Sequence, residues 1–172
     1  MNRYPFLNSA FSLSEVLMHR PNASALLRGG EACPGIRGIV RFYQTPLGVV
    51  VSAQVSGLPT AEGDCADRIF GFHIHEGGVC EGDPAFSDAG AHYNPENCSH
   101  PFHAGDLPPL FGNDGLAAAA FLTDRFTVDA LIGRTVIIHD RRDDFTTNPS
   151  GDAGSRIACG VIQRDCRNCL WR

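Results

Sequence analysis

The chain has 172 residues, 43% of them hydrophobic and 19% charged, with 19 glycines, 11 prolines and a net charge of −5. This composition describes one turn-rich folded domain with modest extensions. It excludes wholesale disorder, a membrane-spanning helix and a basic surface for nucleic acid or anionic lipid. All 14 basic side chains are arginine, so no lysine is present for a Schiff base or a P-loop.

Ser12 followed by Glu15 has the spacing of a helix-capping box, and Leu13, Val16 and Leu17 share one helical face. A short helix is therefore expected here, ended by Pro21. Ser12, Ser14 and Glu15 also break every apolar stretch near the start, so no export signal is expected and the expected compartment is the cytoplasm. Seven cysteines (Cys33, Cys65, Cys80, Cys98, Cys159, Cys166 and Cys169) pull the other way, being many for a reducing compartment.

From Asn22 the hydrophobic period becomes two. Strands are expected at Ala25–Arg28, Gly38–Tyr43, Val49–Ser56, Ile69–Glu76, Leu116–Thr123, Thr135–Asp140 and Ile157–Ile162. The alanine run Ala117–Ala120 fits a helix equally well on periodicity alone. Short strands separated by Gly-, Pro- and Asp-rich turns predict an all-β antiparallel sandwich or barrel. The expected division is an N-terminal extension at 1–21, a β domain at 22–163 and a tail at 164–172. Two connections, Gly77 to Asn113 and Arg141 to Ser155, are too long for simple turns and are candidates for function.

Six of the seven histidines fall in the first long connection or on strands that flank the two. His73 and His75 lie two apart on a candidate strand and so share a face, suited to chelating one ion, while Phe70, Phe72 and Ile74 point to the core. His100, His103 and Asp106 form a compact H-x-x-H-x-x-D cluster, a nitrogen and oxygen donor set suited to zinc. His92 lies between these groups in sequence, and His139 ends a strand. His19 is set apart in the N-terminal extension.

Around these histidines the chain resembles the copper/zinc superoxide dismutase family. The matching stretches are Gly71–Glu76 (GFHIHE), Gly90–Pro95 (GAHYNP), His103–Asp106 (HAGD), Gly133–His139 (GRTVIIH) and Gly154–Ile162 (GSRIACGVI), in the family's order. The resemblance implies an eight-stranded antiparallel Greek-key β-barrel, an immunoglobulin-like sandwich, with a dinuclear site beneath two long loops. It implies copper on His73, His75, His92 and His139, and zinc on His92, His100, His103 and Asp106, with His92 bridging. It further implies a Cys80–Cys159 disulfide and Asp143 as the carboxylate that orients one ligand of each metal. Arg156 would guide and hold the superoxide anion, and His92 would be ligand and proton carrier in converting superoxide to O2 and H2O2. The resemblance allows a homodimer; no nucleic-acid or membrane partner is expected.

The chain also departs from the family. It carries extra residues between Cys80 and His92, and only two positions separate His100 from His103. Cys98 is close enough in sequence to offer a thiolate, and Arg141 and Arg142 are the cations placed to stand in for the family's steering lysine. Cys166 and Cys169 form a C-x-x-C without the following helix that redox motif requires. Two other classes would use the same barrel without turnover: a copper-binding or delivery module, and a structural domain stapled by zinc.

Overall fold

The computed structural model describes residues 11–60, 63 and 68–165, so Cys65, Cys166 and Cys169 lie outside the described residues. Nine strands account for most of the regular structure: β1 (Ala23–Gly29), β2 (Arg37–Thr45), β3 (Gly48–Ser56), β4 (Ile69–Phe70), β5 (Phe72–His75), β6 (Leu110–Phe111), β7 (Ala117–Thr123), β8 (Thr135–His139) and β9 (Arg156–Arg164). Two short α-helices, α1 (Leu13–Met18) and α2 (Val128–Leu131), and a 3-10 turn at Ser87–Ala89 complete the set among the described residues.

Alternation dictates how these strands sit. In β3, Val49, Val51, Ala53 and Val55 are buried while Gln54 and Ser56 are exposed, the two faces of a half-buried strand. Val50 is buried too, at the end of β3 where α1 packs. The alanine run is strand, not helix: Ala117–Thr123 pairs residue by residue with β3 from Val55 back to Val49. A long unpaired edge thus overrides the helical propensity of alanine.

Seven strands form one antiparallel sheet in the order β5-β8-β9-β1-β2-β3-β7. The order β1-β2-β3 comes from consecutive hairpins, whereas β3 to β4 and β7 to β8 cross to distant positions, the Greek-key pattern. Closure of the sheet falls to the small pair β4 and β6. β4 continues into β5 across Gly71, and β6 turns into β7 through the Asn113–Leu116 bridge. The two open edges of the large sheet are thereby linked. With β4 and β5 counted as one interrupted strand, the barrel has the eight strands expected of it. β6 itself was not expected; at two residues it has no period to read.

The enclosed core includes Val40, Phe42, Val51, Phe72, Ile74, Leu110, Val136, Ile138 and Ile162, all inaccessible to solvent. A second, smaller cluster lies outside the barrel wall, where Ile137 and Cys159 pack against Ala89, Cys80 and Phe86 of the first long loop. That cluster holds the loop against β8 and β9.

The N-terminal helix forms around half of the expected capping box: Ser12 Oγ accepts from the Glu15 amide at 3.3 Å. It ends at Met18, with His19 already extended, before Pro21 is reached. α2 begins at an analogous cap, Thr127 Oγ1 accepting from the Ala130 amide.

Truncating Phe42 to alanine, in the core and distant in sequence from the histidines, is expected to cost about 3–5 kcal/mol. Urea unfolding of the metal-free protein measures it, and a loss below 1 kcal/mol, roughly the scale of a surface change, would contradict this account of the core.

Candidate metal centre

β5 has β8 on one side only, and its other edge is taken up by two pieces of the first long loop. His75 faces His92 and His73 faces Asp106 in antiparallel bridges. Backbone bonds from Tyr93 to Ile74 O (2.8 Å), Ile74 to Gly105 O (2.9 Å) and Gly105 to Tyr93 O (2.8 Å) fasten both pieces. Gly105 is required for this approach, because a Cβ there would lie 2.2 Å from Ile74 O. Two loop ligands are thus drawn beside two strand ligands.

His139 arrives from the neighbouring strand. The β8–β9 register shifts between Ile138 and His139, so that His139 pairs with Arg156 rather than Ile157. An irregularity of this kind re-aims a side chain at the end of a strand.

The result is two groups of four side chains that share one member. His73, His75, His92 and His139 form the first, and His92, His100, His103 and Asp106 the second; within each, ligating atoms lie within 4.8 Å of one another. All seven residues are buried, none more than 6% exposed. The sequence-expected ligands are therefore all brought together, while Cys98 stays exposed and outside both groups. Its sulfur turns to Glu96 O instead, 4.0 Å away.

Hydrogen bonds decide which nitrogen of each imidazole is free. Only an N–H can face a carbonyl, so His75 donates from Nδ1 to Gly90 O (2.9 Å) and His139 from Nδ1 to Gly154 O (3.2 Å). Both therefore present Nε2, and these two atoms stand 3.4 Å apart. His73 and His100 donate from Nε2 to the two oxygens of Asp143, at 2.7 and 2.9 Å, which leaves Nδ1 of each as the lone-pair atom. Asp143 thus ties one member of the first group to one of the second. The second loop passes over it at Gly151, whose φ is +66° and where a Cβ would meet Asp143 Oδ1 at 2.0 Å.

Among the described residues four buried ring nitrogens have no hydrogen-bond partner: His73 Nδ1, His92 Nε2, and His100 Nδ1 and His103 Nδ1, the last two standing 3.1 and 3.2 Å from Asp106 Oδ2 without hydrogen-bond geometry. Each such orphan costs about 1–3 kcal/mol, a cost that a metal ion accepting the lone pair removes. The donor sets differ in kind. Four imidazole nitrogens suit copper, whereas three imidazoles and a carboxylate suit zinc. His92 belongs to both, with Nε2 orphaned and Nδ1 2.7 Å from Asp106 Oδ1.

The electrostatics favour ligation. Burial pulls His73 down to about 4, His75 to about 2 and His139 to about 3. Repulsion from a neighbouring imidazole adds to this at all three: His92 at His73 and His75, and chiefly His73 at His139. At neutral pH these rings are neutral and carry the lone pair a metal needs. Burial pushes Asp143 upward, but hydrogen bonds from His73, the Phe145 amide and His100 outweigh it and hold the group at about 2, an anion ready to accept.

Arg156 begins β9 beside His139. Its Nη1 donates to Phe86 O and Ser87 O, and its Nη2 to Gly90 O at 2.7 Å. Gly90 O therefore receives both Arg156 and His75. Cys80 and Cys159 are bonded, with Cα atoms 5.7 Å apart, anchoring the same loop to β9. Arg141 is exposed and pairs with Asp152 at 3.5 Å. Sequence reasoning missed the Gly90 and Gly154 carbonyls, since main-chain acceptors carry no residue signal. It also missed Asn148, whose Oδ1 accepts from the His100 amide at 2.9 Å.

Comparison with known proteins agrees with this geometry. Residues 36–162 match the family model described as "Copper/zinc superoxide dismutase (SODC)". The chain is 34% identical to the protein named "Superoxide dismutase [Cu-Zn]" of Deinococcus radiodurans, over 74% of this chain and 78% of that one. It is 35% identical to the protein of the same name in Photobacterium leiognathi, over 73% and 78%. With the Legionella pneumophila protein of that name it shares 38% identity over 73% and 77%. A match across most of the chain that coincides with two buried histidine clusters sharing a ring places this protein in the copper/zinc superoxide dismutase family.

Proposed function

We propose that this chain is an active dismutase that converts superoxide to O2 and H2O2. In this reading His73, His75, His92 and His139 hold copper, and His92, His100, His103 and Asp106 hold zinc. The observation that carries the proposal is His92, a single buried ring that belongs to both donor sets. Bound copper, alternating between two oxidation states, supplies the one-electron chemistry, and zinc supplies a fixed dication.

The protein's own groups do the remaining work. His92 Nε2, buried and without another partner, is the atom that can hold a proton and pass it to reduced substrate. Asp143 keeps His73 and His100 in their tautomers. The Gly90 and Gly154 carbonyls do the same for His75 and His139.

Arg156 receives the anion. A guanidinium has five N–H groups, and three carbonyls engage Nη1 and Nη2 of Arg156, which leaves Nε–H and one Nη2–H for superoxide. A chain of net charge −5 repels anions at long range, so a local cation at the mouth governs capture. Arg141 contributes little to that field because Asp152 offsets it.

The test is reconstitution with copper and zinc, with metal content measured by mass spectrometry and superoxide decay by pulse radiolysis on the same sample. Equimolar metals with rapid, catalytic decay are expected; both metals bound without turnover would replace the proposal with a metal-binding module. Arg156→Ala is expected to lower kcat/KM by about 10-fold and flatten its ionic-strength dependence with both metals retained. Unchanged decay rates would remove Arg156 from capture. Asp143→Ala is expected to weaken both copper and zinc binding by about 10–100-fold, measured by chelator competition for each ion, because it releases a ligand from each group.

A further inference from the structure

The two halves of the centre are built differently. Three copper-side histidines stand on strands β5 and β8, but His100, His103 and Asp106 lie in irregular chain. Such a segment needs hydrogen-bond partners from outside it to hold a fixed shape. Asn148 and the Gly105 pairing supply two of these.

A third comes from an element with no other part in the site. Arg125 follows β7, and its amide is fixed by Thr123 Oγ1 at 3.3 Å. Its Nη1 donates to Pro101 O (3.2 Å), His103 O (3.2 Å) and Asp106 O (3.0 Å). Three carbonyls of one turn converge on one nitrogen that has two hydrogens, so at least one bond is shared. Those carbonyls would repel one another without a cation between them, and charge-assisted bonds of this kind are about twice as strong as neutral ones.

We propose that Arg125 is a positioning residue for the zinc half of the centre, clamping the His100–Asp106 turn so that its three ligands converge. The clamp acts through the main chain. The Asp106 carboxylate faces the imidazoles while its carbonyl faces Arg125, and the His103 carbonyl does likewise beside its ring. With only two residues between His100 and His103, the turn has no slack in which one ligand can move without displacing the next. Of the copper-side ligands on β5 and β8, only His73 meets one of the clamp's acceptors, across the bridge to Asp106, and it is held independently by the β5–β8 register, so the effect falls mainly on zinc. This inference rests on the zinc assignment made above.

The test uses the full chain, wild type, Arg125→Ala and Arg125→Lys, starting from metal-free protein. Zinc and copper affinities are measured separately by chelator competition, the visible spectrum of cobalt(II) in the zinc site reports ligand geometry, and the metal-free Tm reports the fold. Arg125→Ala is expected to raise the zinc Kd by about 10–100-fold and alter the cobalt spectrum, with copper affinity changed far less and metal-free Tm unchanged. Arg125→Lys, which keeps a cationic donor, is expected to recover part of the loss. Wild-type zinc binding with an unchanged Kd in Arg125→Ala would overturn the clamp alone. Parallel loss of both metals with a lower Tm would also overturn it, in favour of a general structural role. A wild-type chain that binds copper but no zinc would overturn the clamp together with the zinc assignment.

Discussion

Six imidazoles and two carboxylates are packed into a volume from which water is largely excluded, and everything else in the molecule answers to that constraint. A buried imidazole has two polar nitrogens, and leaving either unsatisfied is costly. In His73, His75, His100 and His139 one nitrogen is spent on a carbonyl or on Asp143. The other is directed inward. The fold thereby fixes the tautomer before any metal arrives, and the same burial that makes the nitrogens costly also keeps three of the rings neutral at ordinary pH. A partly solvated cluster of the same residues would be softer in both respects, free to protonate and free to rotate.

The barrel serves this constraint by leaving an edge of β5 to be completed by loop rather than by strand. Were that edge paired with a ninth regular strand, His92 and Asp106 could not lie beside His75 and His73. The first long loop is held at both ends of this contact: the Cys80–Cys159 bridge and the Ile137–Ala89 cluster on the barrel wall, and the Gly105 approach at Ile74. Gly90 O then joins the parts, receiving the copper-side ligand His75 and Arg156 on one atom. The orientation of His75 and the placement of Arg156 are in this way mechanically linked, without any side chain common to both.

What could be read from residues alone follows from where the information resides. Period two in Val49–Ser56 announces a half-buried strand because the pattern is local. The histidine pair on β5 and the H-x-x-H-x-x-D cluster are legible because ligand chemistry is written in residue type. β6 was not legible: two residues after Pro108 and Pro109 have no period, and they are strand only because β4 pairs with them. The strand identity of Ala117–Ala120 likewise belongs to the free edge of β3. Cys98, near His100 in sequence, is turned outward, which shows that proximity along the chain does not imply proximity in the site. Asn148 and Arg125 act on main-chain groups across 48 and 19–24 residues of sequence, and no local pattern reports a contact of that kind.

The asymmetry between the halves bears on how the centre assembles. Strand ligands on β5 and β8 acquire their positions when the sheet forms, because the register that places His73 opposite Ile137 also buries Phe72 and Ile74. A one-residue slip would turn all of them to the wrong face, so hydrophobic burial itself enforces the copper-side geometry. Nothing comparable enforces the turn from His100 to Asp106, which contributes only Ala104 to the barrel core. Its shape comes from polar contacts gathered from elsewhere in the chain: the Gly105 pairing with Ile74 and Tyr93 at the β5 edge, and the side chains of Asp143, Asn148 and Arg125. Individually such contacts are worth about 1–3 kcal/mol, far less than the sheet. Ordering of this turn and binding of an ion by it would therefore be coupled steps, with His92, shared by both groups and fixed on the β5 edge, as the point from which the second set is built outward.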